Sequence, residues 1–472
     1  MAVNEQTMEQ VRQWMEAHRE ELIRDVRRIV EIPSVSEEGG EYPYGEGCAK
    51  ALEELLTMGR EYGFQIANHQ YRCGSIRLPG KEGAGELGLW GHLDVVLEGE
   101  GWVHPPYACT EQAGFLIGRG VQDNKGPTIA DLYAMRCIRE LGLPMEHSIR
   151  LVAGCCEETG MDDVVWYGEN FPLPDYSIVT DTAFPVCHGE KGILELELLS
   201  PPLTGLRAAS GGVASNVVPD RAFAVLDSFP EGTSLPKGVS LRRENDRVRL
   251  EAEGFTAHAA SPEGGVDAIA RLCHALSLGA PDWEMFRFLG DACEGFYGDF
   301  LGIACQDEAS GRLTCVGSLI SLEKGRLRVT FNIRYPVTEE PGWMVSKVER
   351  LCEDHGFSCR VKSLDPPNYV EKDAPFVTAL TEVYRQVMGL SEDEGEPYVM
   401  GGGTYARKLP SAIAFGPGAP MNFAPLGLPA GHGNCHAPDE AQSIDNLLRA
   451  AEIYVLSLLE LDVLPPEEDS EK

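Results

Sequence analysis

The chain has 472 residues, 43% hydrophobic and 24% charged, which suits two or three folded domains with sizeable cores and excludes a disordered chain. Asp and Glu outnumber Lys and Arg 74 to 40, and the formal charge of −34 argues against nucleic acid or an anionic membrane as partner. Fourteen cysteines lie mostly within apolar runs, a usage that fits a reducing compartment better than a disulfide framework.

The first residues carry charges throughout and no continuous apolar core, so neither signal peptide nor membrane anchor is expected, and the default location is the cytoplasm. Met8, Val11, Trp14 and Met15, then Leu22, Val26 and Ile29, recur at helical spacing and predict one amphipathic helix that stops before Pro33. A helix over 46–63, strands near 65–78 and 86–96, a helix over 126–141 and a strand over 148–156 follow. Strands alternating with helices predict an α/β domain whose mixed, mostly parallel sheet is flanked by helices.

Past Asp181 the texture changes. Period-two alternation at 194–200, 221–228, 248–254 and 327–336, with helices such as 265–279 and 340–354, predicts an α+β domain with an antiparallel sheet. Helical spacing near 375–388, the apolar run at 411–416 and a last helix over 441–461 resume the first texture. The expected organisation is therefore a discontinuous catalytic domain, 1–187 and 376–472, interrupted by a lid domain at 188–375, with a frayed EEDSEK tail.

The chemistry begins in GHLDVV at 91–96. His92 and Asp94 stand two apart at the end of an apolar run, so on a strand both project to one face, an imidazole with a carboxylate able to hold its other nitrogen. Five further candidates, two of them an adjacent pair, come in order. Asp123 lies in GRGVQDNKGPT, where glycines and Pro127 permit a sharp turn before a helix and leave both carboxylate oxygens free for two ions. Glu157 and Glu158 follow the apolar strand in CCEETG, Asp181 ends YSIVTD, and His436 stands in NCHAPDE. Each residue alone is more often structural than functional. Their joint occurrence at strand ends and turns is what argues for a site.

Oxygen and imidazole ligands without thiolates favour a hydrolytic zinc, manganese or cobalt site over a closed structural zinc site. Five ligands with one carboxylate shared would hold two divalent ions roughly 3.5–4 Å apart with room for a bridging water, and Glu157 is assigned the proton shuttle. Cys155, Cys156 and Cys435 are rival ligands but read better as small apolar filling. His432 rivals His436 but lies in a Gly-rich loop without the Pro438 and Glu440 that follow His436.

GHLDVV, GRGVQDNKGP, EETG, the Asp181 segment and HAPDE, in this order and spacing, resemble the di-metal peptidase and aminoacylase superfamily over essentially the whole chain, most closely its bacterial dipeptidase V or carnosinase-like Xaa-His dipeptidase branch. The resemblance implies that His92, Asp123 and Asp181 hold one ion and Asp123, Glu158 and His436 the other. It makes Asp94 the residue that orients His92, and Glu157 the general base. In the second domain it points to SNVVP, GFTAHAASPEGG and NIRYP. There His258 would polarise the scissile carbonyl from a lid, while Asn216 and Arg334 would clamp the substrate carboxylate. GGGTYAR at 401–407 matches a loop lining that carboxylate pocket, which adds Gly402 and Thr404. No Walker lysine pattern follows these glycines, so they do not read as a phosphate cradle.

Two features depart from the family pattern. Asn124 stands where close relatives often carry a second Asp, beside a peptide bond that is typically cis in the family, and the stretch 416–434 is long and rich in Pro and Gly. The resemblance further implies a monomer with two divalent ions, zinc or manganese with cobalt possible, that hydrolyses the peptide bond of short peptides with free termini through a metal-bridging water, its hinge closing over a dipeptide or other small amino-acid substrate. The alternatives are an N-acyl amino acid amidohydrolase using the same ions and, from another class, a metal-dependent binding protein that closes on a peptide without cutting it.

Overall fold

The computed structural model describes residues 4–37, 39–244 and 246–464. The tail expected to fray, Glu467–Lys472, lies outside them. The chain divides into two compact units, one running to His188 and including Val370–Tyr398 and the residues from Gly403 onward, the other Gly189–Tyr369 with Val399–Gly402. Against the expected switches at 187/188 and 375/376, these fall at His188/Gly189 and Tyr369/Val370, and Gly402 groups with the second unit while Thr404 groups with the first.

The sheet of the first unit runs, across its width, Gln65–His69, Cys73–Leu78, Ser148–Gly154, Glu86–His92, Tyr176–Val179, Ala412–Phe415 and Val186–Glu190. The central pairings, Glu86–His92 with both neighbours and Tyr176–Val179 with Ala412–Phe415, are parallel. The outer pairings are antiparallel. Apolar strand residues such as Leu87, Leu89, Leu151 and Ile178 are fully buried, and helices Lys125–Leu141 and Ile444–Leu461 supply Ile129, Leu132, Leu447 and Tyr454 to the same core. Strands covered on both faces read as continuous apolar runs, which is why these were legible.

The opening segment is not one helix. Every predicted apolar position is buried, but the chain forms Glu5–Ala17 and Arg19–Val30. His18, at φ −106° and ψ 12°, leaves the helical path, and both its backbone N–H and its ring Nδ1 bond the Trp14 carbonyl. The predicted strand 86–96 likewise ends at His92, and 65–78 is a hairpin of two strands.

The second unit holds an antiparallel sheet in the order Val239–Glu244, Arg247–Glu253, Arg221–Leu226, Leu206–Gly211, Thr314–Glu323, Arg326–Tyr335, Gly192–Leu199 and Ser358–Asp365. One face packs Leu194, Leu196, Leu198, Phe331 and Ile333 against Ile269 and Leu272 of Ala268–Leu276, Phe286 and Leu289 of Trp283–Cys293, and Met344 and Val348 of Gly342–Asp354. Alternation then sends Glu195, Glu197, Asn332 and Arg334 to the opposite face, where they too are buried. No helix among the described residues is long and apolar enough to cross a membrane.

Candidate metal centre

The ligand candidates emerge at the carboxyl ends of the central parallel strands, where open α/β sheets place their ligands. His92 is the last residue of its strand, Glu157 and Glu158 follow the strand that ends at Gly154, and Asp181 lies just past the one that ends at Val179. Asp123 occupies the turn before helix Lys125–Leu141. His436 sits in the loop before Ala441–Ser443, at φ 61°.

These side chains converge. His92 Nε2 is 2.9 Å from Asp123 Oδ1 and 3.7 Å from Asp181 Oδ2, while His436 Nε2 is 2.9 Å from Asp123 Oδ2 and 3.1 Å from Glu158 Oε1. Asp123 thus spends one oxygen on each imidazole. Ligand atoms of His92, Asp123 and Glu158, and of His92, Glu157 and Asp181, each lie within 4.8 Å of one another. Asp94 is fully buried behind them. The His92 Nδ1 approaches the Asp94 backbone carbonyl at 3.0 Å and the carboxylate at 3.3 Å, and that carboxylate accepts the backbone N–H groups of Glu157 at 3.2 Å and Glu158 at 3.1 Å. Asp94 lies beyond the strand, so it reaches His92 through the turn and not as a same-face strand neighbour.

Four carboxylates packed around two imidazoles set the electrostatics. Burial and then Asp181 push Glu157 well above the usual carboxylate range. Burial likewise raises Asp181 to about 6, and Glu158 by burial and by Asp123. Hydrogen bonds with Asp123 and Glu158 raise His436 to about 11. Burial disfavours a charged His92, but Asp181, Asp123 and Asp94 outweigh it and hold its pKa up. Asp123 moves the other way, since bonds with His436 and His92 overcome its burial. Hard oxygen and imidazole donors facing inward, with their negative charge crowded, fit divalent cations, whose charge would relieve that repulsion.

The sequence assigns no supporting role to several residues that hold this site together. Asn124 is fully buried. Its amide donates to Thr180 O at 2.7 Å and Asp181 Oδ1 at 3.0 Å, its oxygen accepts from His92 N at 3.3 Å and Thr128 Oγ1 at 3.2 Å, and the Asp123–Asn124 peptide is cis. Glu440, noticed only as part of the HAPDE motif, accepts from Gly120, Gln122 and Asp123 N–H and pairs with Arg119 at 2.6 Å. Asp163 accepts from Cys155 N, Cys156 N and Tyr405 OH, which fixes the turn into Glu157. A Cβ on Gly91 would run into Thr128 and Asn124, and one on Gly154 into Tyr405 and Asp163, so glycine is what lets these elements approach. Cys155 and Cys156 are buried. Cys435 is exposed, against the expected apolar filling, and joins no metal-ligating group among the described residues. His432 turns its Nδ1 to Asp439 at 2.6 Å.

The remaining candidates lie elsewhere. Asn216, His258, Arg334 and Gly402 belong to the second unit. Val217 and His258 form an antiparallel bridge, Asn216 O accepts Ala259 N at 2.8 Å, and Thr314 Oγ1 donates to Ala259 O at 2.8 Å. Thr314 is the cross-strand partner of Arg334, which brings Asn216, His258 and Arg334 into one neighbourhood of that unit. A Cβ on Gly402 would meet the Met400 side chain at an ordinary contact distance of 3.8 Å, and Thr404, in the first unit, caps the short turn Tyr405–Lys408 through Ala406 N. The long 416–434 stretch does not hang free, since Phe423, Leu426 and Leu428 pack with Phe115, Ile117 and Ala441.

Comparison with known proteins bears on the same residues. Residues 88–460 match the model of peptidase family M20/M25/M40. A Bacillus subtilis (strain 168) protein that carries the name of a dipeptidase is 33% identical, covering 94% of this chain and 97% of its own length. The Beta-Ala-Xaa dipeptidase of Lactobacillus delbrueckii subsp. lactis is 29% identical over the same shares. Among solved structures, human carnosine dipeptidase 1 superposes with a TM-score of 0.59 at 16% identity, covering 97% of this chain and 99% of its own, a likeness of fold.

Proposed function

The chain belongs to peptidase family M20/M25/M40 and is a metallopeptidase, and from that premise we propose that it is a cytoplasmic, monomeric dipeptidase acting on short peptides with free N- and C-termini. The observation that carries the proposal is the division of Asp123 between His92 and His436, with Asp181 beside the first imidazole and Glu158 beside the second. In this reading His92, Asp123 and Asp181 hold one divalent cation and Asp123, Glu158 and His436 another, zinc or manganese with cobalt possible. Bound divalent cations supply Lewis acidity, polarising a carbonyl and acidifying water.

The rest is done by the protein's own side chains. Glu157, its backbone N–H held by Asp94, takes a proton from the attacking water and hands it to the departing amine. Asp94 holds His92 and the backbone of Glu157 and Glu158 in place. His258 donates to the carbonyl oxygen as negative charge develops there. Asn216 and Arg334 bind the substrate carboxylate, the guanidinium through parallel N–H donors, and Gly402 and Thr404 line its surroundings. The first unit is then the catalytic domain and the second the lid domain.

A panel of unblocked dipeptides beside N-acetyl and N-succinyl amino acids, run on chelated protein re-supplied separately with zinc, manganese and cobalt, tests the reading. Dipeptide cleavage restored by metal is expected. Cleavage confined to the N-acyl compounds would make the chain an amidohydrolase, and binding of dipeptides without cleavage would make it a peptide-binding protein.

A further inference from the structure

Behind Arg334 lies a polar chain that the reaction as described does not use. Arg334 Nε donates to Asn332 Oδ1 at 2.8 Å, and Asn332 Nδ2 donates to Glu195 Oε1 at 3.2 Å. Glu195 Oε2 receives Lys362 Nζ at 2.9 Å from the edge strand. Arg334 Nη1 donates to Gly401 O at 3.0 Å. Asn332 is 1% exposed, Arg334 5% and Glu195 8%, so this is an interior network whose bonds are expensive to leave unmade.

The strand register explains the arrangement. Glu195 and Asn332 are direct cross-strand partners, Ile193 and Arg334 the next pair on the same face, while the alternate residues Leu194 and Ile333 belong to the apolar core. Burial pushes the Glu195 carboxyl up, yet Ser215, Lys362 and Asn332 outweigh it and hold it below the usual range, so it stays an acceptor. An amide with its oxygen committed to Arg334 and its nitrogen to Glu195 cannot flip without breaking both bonds.

We propose that Asn332 and Glu195 are positioning residues that aim the Arg334 guanidinium, so that this relay sets the preference for substrates ending in a free carboxylate. The inference rests on the assignment of Arg334 to the substrate carboxylate. A charge held from behind at two nitrogens presents a fixed fork, and a fork that swivels loses the parallel geometry that separates a carboxylate from an amide.

The test compares KM and kcat for alanyl-alanine and for its C-terminal amide in the metal-loaded full chain. Arg334→Ala should raise KM for the free acid with little change for the amide. Asn332→Ala should do the same by about tenfold, with kcat held, and add nothing in the Asn332→Ala/Arg334→Ala double variant. Asn332→Asp/Glu195→Gln keeps an acceptor under Arg334 Nε and an N–H between positions 195 and 332, and should restore KM. If Asn332→Ala does not fold, isosteric Glu195→Gln should give the same acid-selective change, smaller in size. KM unaffected by Asn332→Ala and Glu195→Gln while Arg334→Ala raises it would overturn the relay alone. An unchanged acid-to-amide ratio in Arg334→Ala would overturn the carboxylate assignment and the relay with it.

Discussion

Glu157 combines two properties: it is half-buried among other acids, and its backbone N–H is held by Asp94. Removing its side chain should therefore abolish chemistry while leaving the cation ligands in place. Glu157→Ala is expected to lose roughly 10²–10⁴ in kcat and to retain divalent metal, read by turnover and elemental analysis of the same preparation. Loss of metal together with activity would make Glu157 a ligand and not a base. Most of the residues brought together here were readable because they follow an apolar strand or open a helix, whereas His436, in a loop, was readable only through the NCHAPDE segment. Asn124, Asp163 and Glu440 were not readable as supports. Their partners are backbone amides and side chains remote in sequence, such as Tyr405 for Asp163, and nothing local distinguishes such a residue from a solvated turn.

Helix Ala268–Leu276 shows how one terminus can tie an element to pH. Its N-cap Asp267 accepts Ile269 N at 2.7 Å and Ala270 N at 3.0 Å through Oδ1, while the buried Oδ2 has no hydrogen-bond partner among the described residues. Burial pushes this carboxyl up to about 7 despite the two amide bonds. Unfolded, the acid titrates near about 3.9, so between that value and about 7 folding takes up a proton and the group's contribution to stability falls as pH rises. Asp267→Asn keeps the acceptor without the charge. Its unfolding midpoint should gain on wild type from about pH 5 to about pH 8, and a flat difference would contradict the burial-driven shift. Elements with strong periodicity were legible in the sequence, down to the alternation of Arg326–Tyr335. Three kinds were not. Thr314–Glu323 is buried along most of its length and shows no period of two, Asp162–Asn170 buries only Asp163, Val164 and Tyr167, and the break at His18 comes from a single residue within an unbroken apolar pattern.

At the scale of the whole molecule, an acidic chain carrying a formal charge of −34 gathers part of that charge in one half-buried cluster, where bound divalent cations would add to its stability. Chelation should lower the unfolding midpoint and re-addition restore it, since ions bound only by the folded chain contribute roughly 4 kcal/mol at a thousandfold excess over Kd. An unmoved midpoint would separate the cluster from stability. The change of texture after Asp181 made an inserted α+β region legible, but short pieces such as Val399–Gly402, grouped with the second unit, are too brief to leave a pattern. The most direct measurement is a count of divalent metal per chain in wild type and in Asp123→Ala, beside dipeptide hydrolysis by both. Two equivalents in the wild type are expected, with less than one and no hydrolysis once the shared carboxylate is gone. A variant that keeps both equivalents, or a wild type that cleaves dipeptides while holding none, would contradict the paired-cation site.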